Sequence, residues 1–367
     1  MEPNQPADMK EGPSNGDLPR TDTLRKIISI KNISNVVPII SNSFRIEQVF
    51  RNEKKLTDLV TRRPEYRDED LTIDELLTKL WAKKIRYPMT DDHNLARVAQ
   101  YYQVEQDGSD VAKEEYLEFL NSTLLEINEN EQGYEDTVRG LKKEAHTLLF
   151  SEVVRRLDYP RYPEDVTDPL TLLAKMPFPV YVTTSYHDFL ERALIDEKKV
   201  PRTQVIFEEG KEYDNAADHY PDQGFNPTVT NPAVYHLFGL ENYPGSLVLS
   251  EDDYMKFLVS VVSDNSTQRA VVPPRLRRAL AASHLLLMGY YLRDWDFRVL
   301  FRFILNYRQS GESAKKSIFI QLKPQKGDQH LLDYLERYFD MKRFEIEWDA
   351  SEKFIRKLWD VWKGQQP

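Results

Sequence analysis

Between residues 36 and 40 the chain runs Val-Val-Pro-Ile-Ile, an apolar stretch of strand length. From about 45 to 160 the pattern changes to apolar positions three and four apart, which predicts helices. TIDELLTKLWAKKI pairs Thr72 with Glu75 in capping-box spacing ahead of Leu76, Leu77, Leu80 and Trp81. HNLARVAQYYQV, EEYLEFLNSTLLEI and TVRGLKKEAHTLLFSEVVRRL carry the same periodicity. After residue 165 short apolar runs alternate with helical patterns. Strands are predicted at 180–184, 204–208, 233–238, 284–290, 317–322 and 344–348. Helices are predicted over SEDDYMKFLVSVV, where Ser250 stands as N-cap with Asp253 three residues on, and over PPRLRRALAA, DWDFRVLFRFIL, DQHLLDYLERYF and SEKFIRKLWDVW. Buried-type strands alternating with helices imply an α/β fold, a Rossmann-like, mostly parallel sheet covered on both faces. The helical region reads as an insertion or cap that leaves a cleft above the carboxyl ends of the strands. Pro38 conflicts with a central strand, because it lacks a ladder donor.

Residues 1–24 are rich in Pro, Gly, Asn and charge, and are expected to be a disordered tail ahead of a domain spanning 25–367. The polar stretch 209–232 reads as a long functional loop. The net charge of −10 argues against direct nucleic-acid binding through bulk electrostatics. With no cysteine among 367 residues, disulfides, thiolate catalysis and Cys-based zinc sites are excluded. No apolar run reaches the length of a membrane span and no signal-peptide core opens the chain, so a soluble cytoplasmic protein is expected.

PVYVTTSYHDFLERAL, residues 179–194, puts Thr183, Thr184 and Ser185 between a strand and a helix, the place where open α/β sheets hold ligands. Together with VVPIISNSFR (36–45), AVYHLFGLENYPGSLVLSEDDYMKFL (233–258) and HLLLMGYYLRDWDFRVLFRFIL (284–305), this segment resembles the SIR2-like family, the bacterial relatives of sirtuins. NLARVAQYY (94–102) is similar to the helical insert of those proteins. GYYLRDWDFRVL is the most specific match.

The resemblance implies a sheet that binds NAD and, by analogy with bacterial defence members, cleavage of NAD to nicotinamide and ADP-ribose. It also implies a protein partner or activator and a homo-oligomer. Carried over by position, Ser41, Asn42 and Ser43 stand where the family has a Gly-Ala-Gly phosphate loop. Asn tolerates left-handed backbone and the two hydroxyls can donate to phosphate. Arg45 is a candidate phosphate donor. Thr184 and Gly239 belong to the matching nucleotide-binding stretches. Gly289, Tyr290, Asp294 and Asp296 belong to the last motif, whose carboxylates can accept ribose hydroxyls. Asp294 is also a candidate helix N-cap.

Ser185 replaces the family's asparagine and His187 its aspartate. The family's catalytic histidine precedes a glycine, whereas Phe238 precedes Gly239 here. His236 lies on the same strand face, displaced by about 7 Å. Ser185, His187 and His236 are therefore the candidate catalytic residues, with a histidine as base for the attacking water. His93, His146, His284 and His330 read as structural.

Three alternatives follow from the altered positions and the composition. The chain is either an NAD hydrolase or a catalytically degenerate module that binds NAD or ADP-ribose-like nucleotides and acts through a partner. A ligand sharing only the adenosine half is the third reading. A serine-hydrolase triad lacks its Gly-x-Ser-x-Gly elbow, and His187, His219 and His236 match no standard zinc spacing, so no metal is expected. Protein deacetylation needs a four-cysteine zinc ribbon in the sirtuins, which this chain cannot build.

Overall fold

Seven strands form a single all-parallel sheet in the order β3-β4-β2-β1-β5-β6-β7. The computed structural model describes residues 25, 28–29, 32–51, 56, 71–129, 131–206, 225–263, 272–291, 294–308, 318–322, 333–334, 336–339 and 344–365. The strands are β1 (Val36–Ile40), β2 (Val180–Thr183), β3 (Arg202–Val205), β4 (Ala233–His236), β5 (His284–Tyr290), β6 (Ile318–Leu322) and β7 (Phe344–Trp348). The expected Rossmann-like α/β architecture is present. β1 sits at the centre, and the chain builds outward first through β2 and later through β5. That reversal creates a switch point above β1, where the loops after the strands separate.

The central strands are buried along their length, β1 and β4 completely. Pro38 is accommodated inside this sheet by its phase. Ser41 N–H donates to Met288 on the β5 side, and Ile40 carbonyl accepts from Thr184 on the β2 side. Alternation then points the absent Pro38 donor toward β2, where pairing with β1 begins only at Ile39. No established ladder bond is lost.

β3 occupies 202–205 instead of 204–208, and 207–208 lie outside the described residues. It is an edge strand paired only with β4 in the register Arg202↔Ala233, so exposed residues are tolerated there.

After β1 comes α1 (Asn42–Val49), followed by the helical insertion: α2 (Ile73–Lys84), α3 (Leu95–Glu105), α4 (Ser109–Ile127), α5 (Glu135–Glu144) and α6 (Phe150–Arg156). α2 starts on a complete capping box. Thr72 N–H donates to Glu75 at 2.7 Å and Glu75 N–H donates to the Thr72 hydroxyl at 3.3 Å. The continuous periodicity of 137–157 divides into two helices. Asn121 donates to the carbonyls of Ala145 and Leu148, and the Glu241 carboxylate accepts from Phe150 and Ser151 N–H, restarting the helix.

α7 (Pro169–Lys175) precedes β2, and α8 (Phe189–Asp196) follows it. The remaining helices are α9 (Glu251–Ser263), α10 (Pro274–Ala282), α11 (Trp295–Tyr307) and α12 (Ser351–Lys363). The proposed tail 1–24 and most of the loop 209–232 lie outside the described residues, as does His330. No described helix is long and apolar enough to cross a membrane.

The insertion is fastened to α9. Lys113 and Asp253, both fully buried, lie 3.3 Å apart, and Lys113 also donates to the Gly245 carbonyl. Arg97 pairs with Glu251 at 3.1 Å, while the Gln100 amide exchanges two hydrogen bonds with Asp252. A buried ion pair is tolerable when its lone pairs are satisfied. Asp253 Oδ2 accepts from Leu249 and Ser250 N–H, and its Oδ1 has only the Lys113 charge beside it. These links set the insertion as a wall over the carboxyl ends of β1, β2 and β5.

Candidate functional site

The floor of the site is built where β1 and β5 end. Ser41 N-caps α1, accepting from Phe44 N–H at 3.0 Å and donating to the Gly289 carbonyl at 2.6 Å. Gly289 has φ +83, and a Cβ there would lie 2.5 Å from Ser41 Oγ and 2.8 Å from Phe44 Cβ. Only glycine combines that backbone conformation with that approach. The Gln321 amide completes the frame, accepting from Gly289 N–H at 2.8 Å and donating to the Asp349 carbonyl. Ser41 and Gly289 are therefore in contact, below the ligand space.

Above this floor lies a cavity of about 230 Å³. The sheet side contributes Asn42, Ser43, Thr184 and Tyr186. The start of α11 contributes Asp294, Trp295 and Asp296, and α9 contributes Tyr254. The insertion supplies the opposite wall: Thr72, Asp74, Glu75 and Thr78 from the α2 region, His93 to Ala96 at the entry of α3, and Tyr116 from α4. Asn42 accepts from Tyr186 N–H at 3.3 Å, which ties the first turn of α1 to the loop after β2. Thr184 is buried and shares a 3.3 Å hydrogen bond with the Tyr290 hydroxyl, so Tyr290 supports the wall from behind. The rings of Tyr254 and Trp295 stack at 5.9 Å, and Tyr254 donates to the Tyr186 hydroxyl, which donates to the Val248 carbonyl at 2.9 Å.

The cavity is acidic. Burial lifts the Asp74 carboxyl from 3.8 to about 6, against the Ser43 hydroxyl that donates to its charged form. Burial lifts Asp296 from 3.8 to about 7, partly offset by its bond from Phe297 N–H, and the charge of Asp74 adds to the rise. Burial next to these carboxylates pushes Tyr116, Tyr186, Tyr254 and Tyr290 upward as well, keeping them neutral. Among the described residues, none that lines the cavity is Lys or Arg.

The candidate catalytic residues occupy other ground. His236 and Ser185 do not line this cavity. His236 Nδ1 meets the Ser185 carbonyl at 2.9 Å and Nε2 meets Glu191 at 2.8 Å. Both partners are acceptors, so both ring nitrogens carry protons and His236 is an imidazolium. Burial opposes that charge, but Glu191 overcomes it and holds the imidazole above its ordinary 6.5. Burial likewise opposes ionisation of Glu191, yet His236 holds its carboxyl below the ordinary value. Thr203 on β3 donates to the same carboxylate at 2.8 Å. The expectation of His236 as a base facing the cleft is corrected: the side chain is drawn toward α8 and β3, and it has no lone pair to accept a proton.

His187 is also sealed in, packed against Phe150 and Phe189, with Nδ1 2.9 Å from Glu241 but off hydrogen-bonding alignment. The Ser185 hydroxyl accepts from His187 N–H at 3.2 Å, a local turn contact. Arg45 does not point to a phosphate site. It pairs with Asp168 at 2.8 Å, donates to Gln48 and lies over the Phe189 ring. Gly239 has φ +92, and a Cβ there would lie 2.3 Å from the Ser246 carbonyl, so it shapes the turn after β4. Of the expected ligand residues, the cavity gathers Asn42, Ser43, Thr184, Asp294 and Asp296. Asp294 occupies the N-cap position of α11 without a side-chain capping bond.

Sequence reasoning missed Asp74, Tyr116, Tyr186 and Tyr254, and it read His93, at the start of a predicted helix, as structural. Asp74 stands inside the Thr72–Glu75 capping box, where an acidic residue is explained by the helix dipole alone. His93 sits in the turn just before α3, at the cavity mouth. Among the described residues no group of three or more His, Cys, Asp or Glu is arranged to hold a metal ion.

Residues 179–340 match the family model described as the SIR2-like domain. No curated protein matches the chain.

Proposed function

With SIR2-like membership as the premise, we propose that this chain binds NAD in the cavity above β1, β2 and β5 and hydrolyses its nicotinamide–ribose bond to give ADP-ribose. SIR2-like domains generally bind NAD. The observation that carries the reading is the composition of the cavity. Carboxylates, tyrosines and a stacked Trp–Tyr pair surround the space, and none of the described residues that line it is Lys or Arg.

The acidic and aromatic wall of the cavity favours a flat, positively charged ring with its sugar. The nicotinamide riboside half of NAD has that chemistry. Its ribose hydroxyls match carboxylate acceptors, and its neutral leaving group asks little of an enzyme beyond orientation and charge stabilisation. The pyrophosphate falls to the first turn of α1, at Asn42 and Ser43, where helix N–H groups and the dipole favour an anion. A role as a defence effector that depletes NAD, with a partner as trigger, follows from the same activity.

The engagement of both His236 nitrogens favours a second reading, a module that binds the nucleotide without turnover. Calorimetric titration of the full chain with NAD and with ADP-ribose, alongside an assay for released nicotinamide, separates the two. Binding with nicotinamide release supports the hydrolase. Binding without release supports the module, and no binding of either nucleotide sinks both.

A further inference from the structure

The insertion brings to the cavity two carboxyl groups that the strand-end motifs do not contain, Asp74 and Glu75, of which Glu75 accepts from Thr72 N–H in the capping box. Asp74 enters from the first turn of α2, and Asp296 enters from the first turn of α11. Glu75 raises the cost of ionising Asp74, and Asp74 raises that of Asp296. The groups facing them are Glu75, His93, Tyr116, Tyr186, Tyr254 and Asp294. Among the described lining residues His93 is the one imidazole and none is Lys or Arg. Tyr116 borders the cavity with its side chain 4 % exposed, and burial keeps its hydroxyl neutral.

Resting on the nucleotide-binding reading above, we propose that Asp74 and Asp296 are the catalytic carboxyl pair of this cavity, with Asp74 facing the cationic glycosyl centre and Asp296 taking the proton of the attacking water. The C1′–N bond breaks with its electron pair passing to the pyridinium nitrogen, which leaves as neutral nicotinamide. The positive charge moves onto the ribose C1′ and ring oxygen, where ionised Asp74 stabilises it. The water oxygen bonds to C1′, its proton passes to Asp296, and Asp296 returns that proton to solvent. Asp296 keeps one oxygen on Phe297 N–H and has the other for the water. Ser43 holds Asp74 through its hydroxyl, and Tyr116 donates to the substrate or to the water. The pair replaces the histidine that the fold has sealed against Glu191.

A cationic ligand entering between two partly protonated carboxyls expels protons, whereas ADP-ribose, which lacks the pyridinium, does not. Calorimetry of the full chain at pH 6.5, in two buffers of different ionisation enthalpy, reads that directly. NAD binding is expected to release roughly half a proton or more, and ADP-ribose close to none. Asp74→Asn is expected to reduce the proton release and to lower nicotinamide formation at least about 100-fold, and the Asp74→Asn, Asp296→Asn double variant to abolish the release. Asp296→Asn is expected to remove the rise of the rate with pH between about 5 and 7. A thermal melt checks that each variant folds. Proton release by NAD that persists in the double variant overturns the proposal, as does full turnover in either single variant. NAD binding with no proton release overturns it while leaving nucleotide binding intact. Failure of both nucleotides to bind overturns the underlying reading instead.

Discussion

Two buried acid clusters sit at the same end of the sheet and are built on opposite principles. Around β4, Glu191 meets a charged His236, the Ser185 carbonyl takes the second ring proton, and Thr203 donates to the carboxylate. The imidazolium and the carboxylate balance each other there, although Glu191 Oε2 has no hydrogen-bond partner among the described residues. Around β1 and β5, Asp74 and Asp296 line one cavity, and among the described lining residues no Lys or Arg balances them. A charge-balanced cluster holds structure, whereas an unbalanced one bordering a cavity waits for a ligand. The difference locates function in the residues that look less like a catalytic motif.

The largest effect that tests this contrast is His236→Ala. Removing the imidazolium strands the Glu191 carboxylate in the interior, at a cost of about 3–5 kcal/mol in denaturant unfolding. A His236 variant with wild-type stability and no turnover would reverse the assignment of the two clusters. Next comes Gly289→Ala, where a Cβ at φ +83 meets Ser41 Oγ at 2.5 Å. A loss of about 2–4 kcal/mol is expected, because strain and overpacking combine.

Asp296→Asn acts in the other direction. A carboxyl raised from 3.8 to about 7 lets the folded state bind more protons than the unfolded chain, so its contribution to stability falls as pH rises through that window. Removing the group is expected to stabilise the protein at pH 7.5, on the order of 1–3 kcal/mol, with little change at pH 4. His236 titrates with a distinct signature. Its raised value gives stability that is complete below about 6.5 and lost as pH rises through the folded value, and Asp296→Asn leaves that loss in place. Thermal melts across pH separate the two slopes.

Ser185→Ala is the smallest. The carbonyl of Ser185 holds His236, and the hydroxyl makes only local bonds to His187, accepting from its N–H and donating to its carbonyl at 3.4 Å. The change is therefore expected to stay at about 1 kcal/mol or below, the size of one hydrogen bond, and to leave nucleotide affinity unchanged. Loss of nucleotide binding in this variant would return the site to the loop after β2.

Much of the frame was legible along the chain. β1, β5 and β7 fall at the predicted residues, since β1 and β5 are short apolar runs between polar breaks and β7 alternates apolar and acidic residues. The Thr72 capping box and the Ser250–Asp253 pair mark their helix starts because both partners lie within one turn. The helix over 137–157 was misread as continuous. What divides it are Asn121 and Glu241, side chains distant in sequence, and periodicity within a window carries no trace of them.

The cavity follows the same division. Local pattern determined the elements, their order and the parallel sheet, because backbone geometry and apolar spacing act over a few residues. Tertiary structure alone decided which carboxylates share a space. The turn of His236 toward Glu191, the seat of Ser41 against Gly289, and the approach of Asp74 to Asp296 depend on contacts between segments far apart in the chain. Electrostatics in a recessed space depends on what surrounds each group in three dimensions, and one-dimensional order does not supply that.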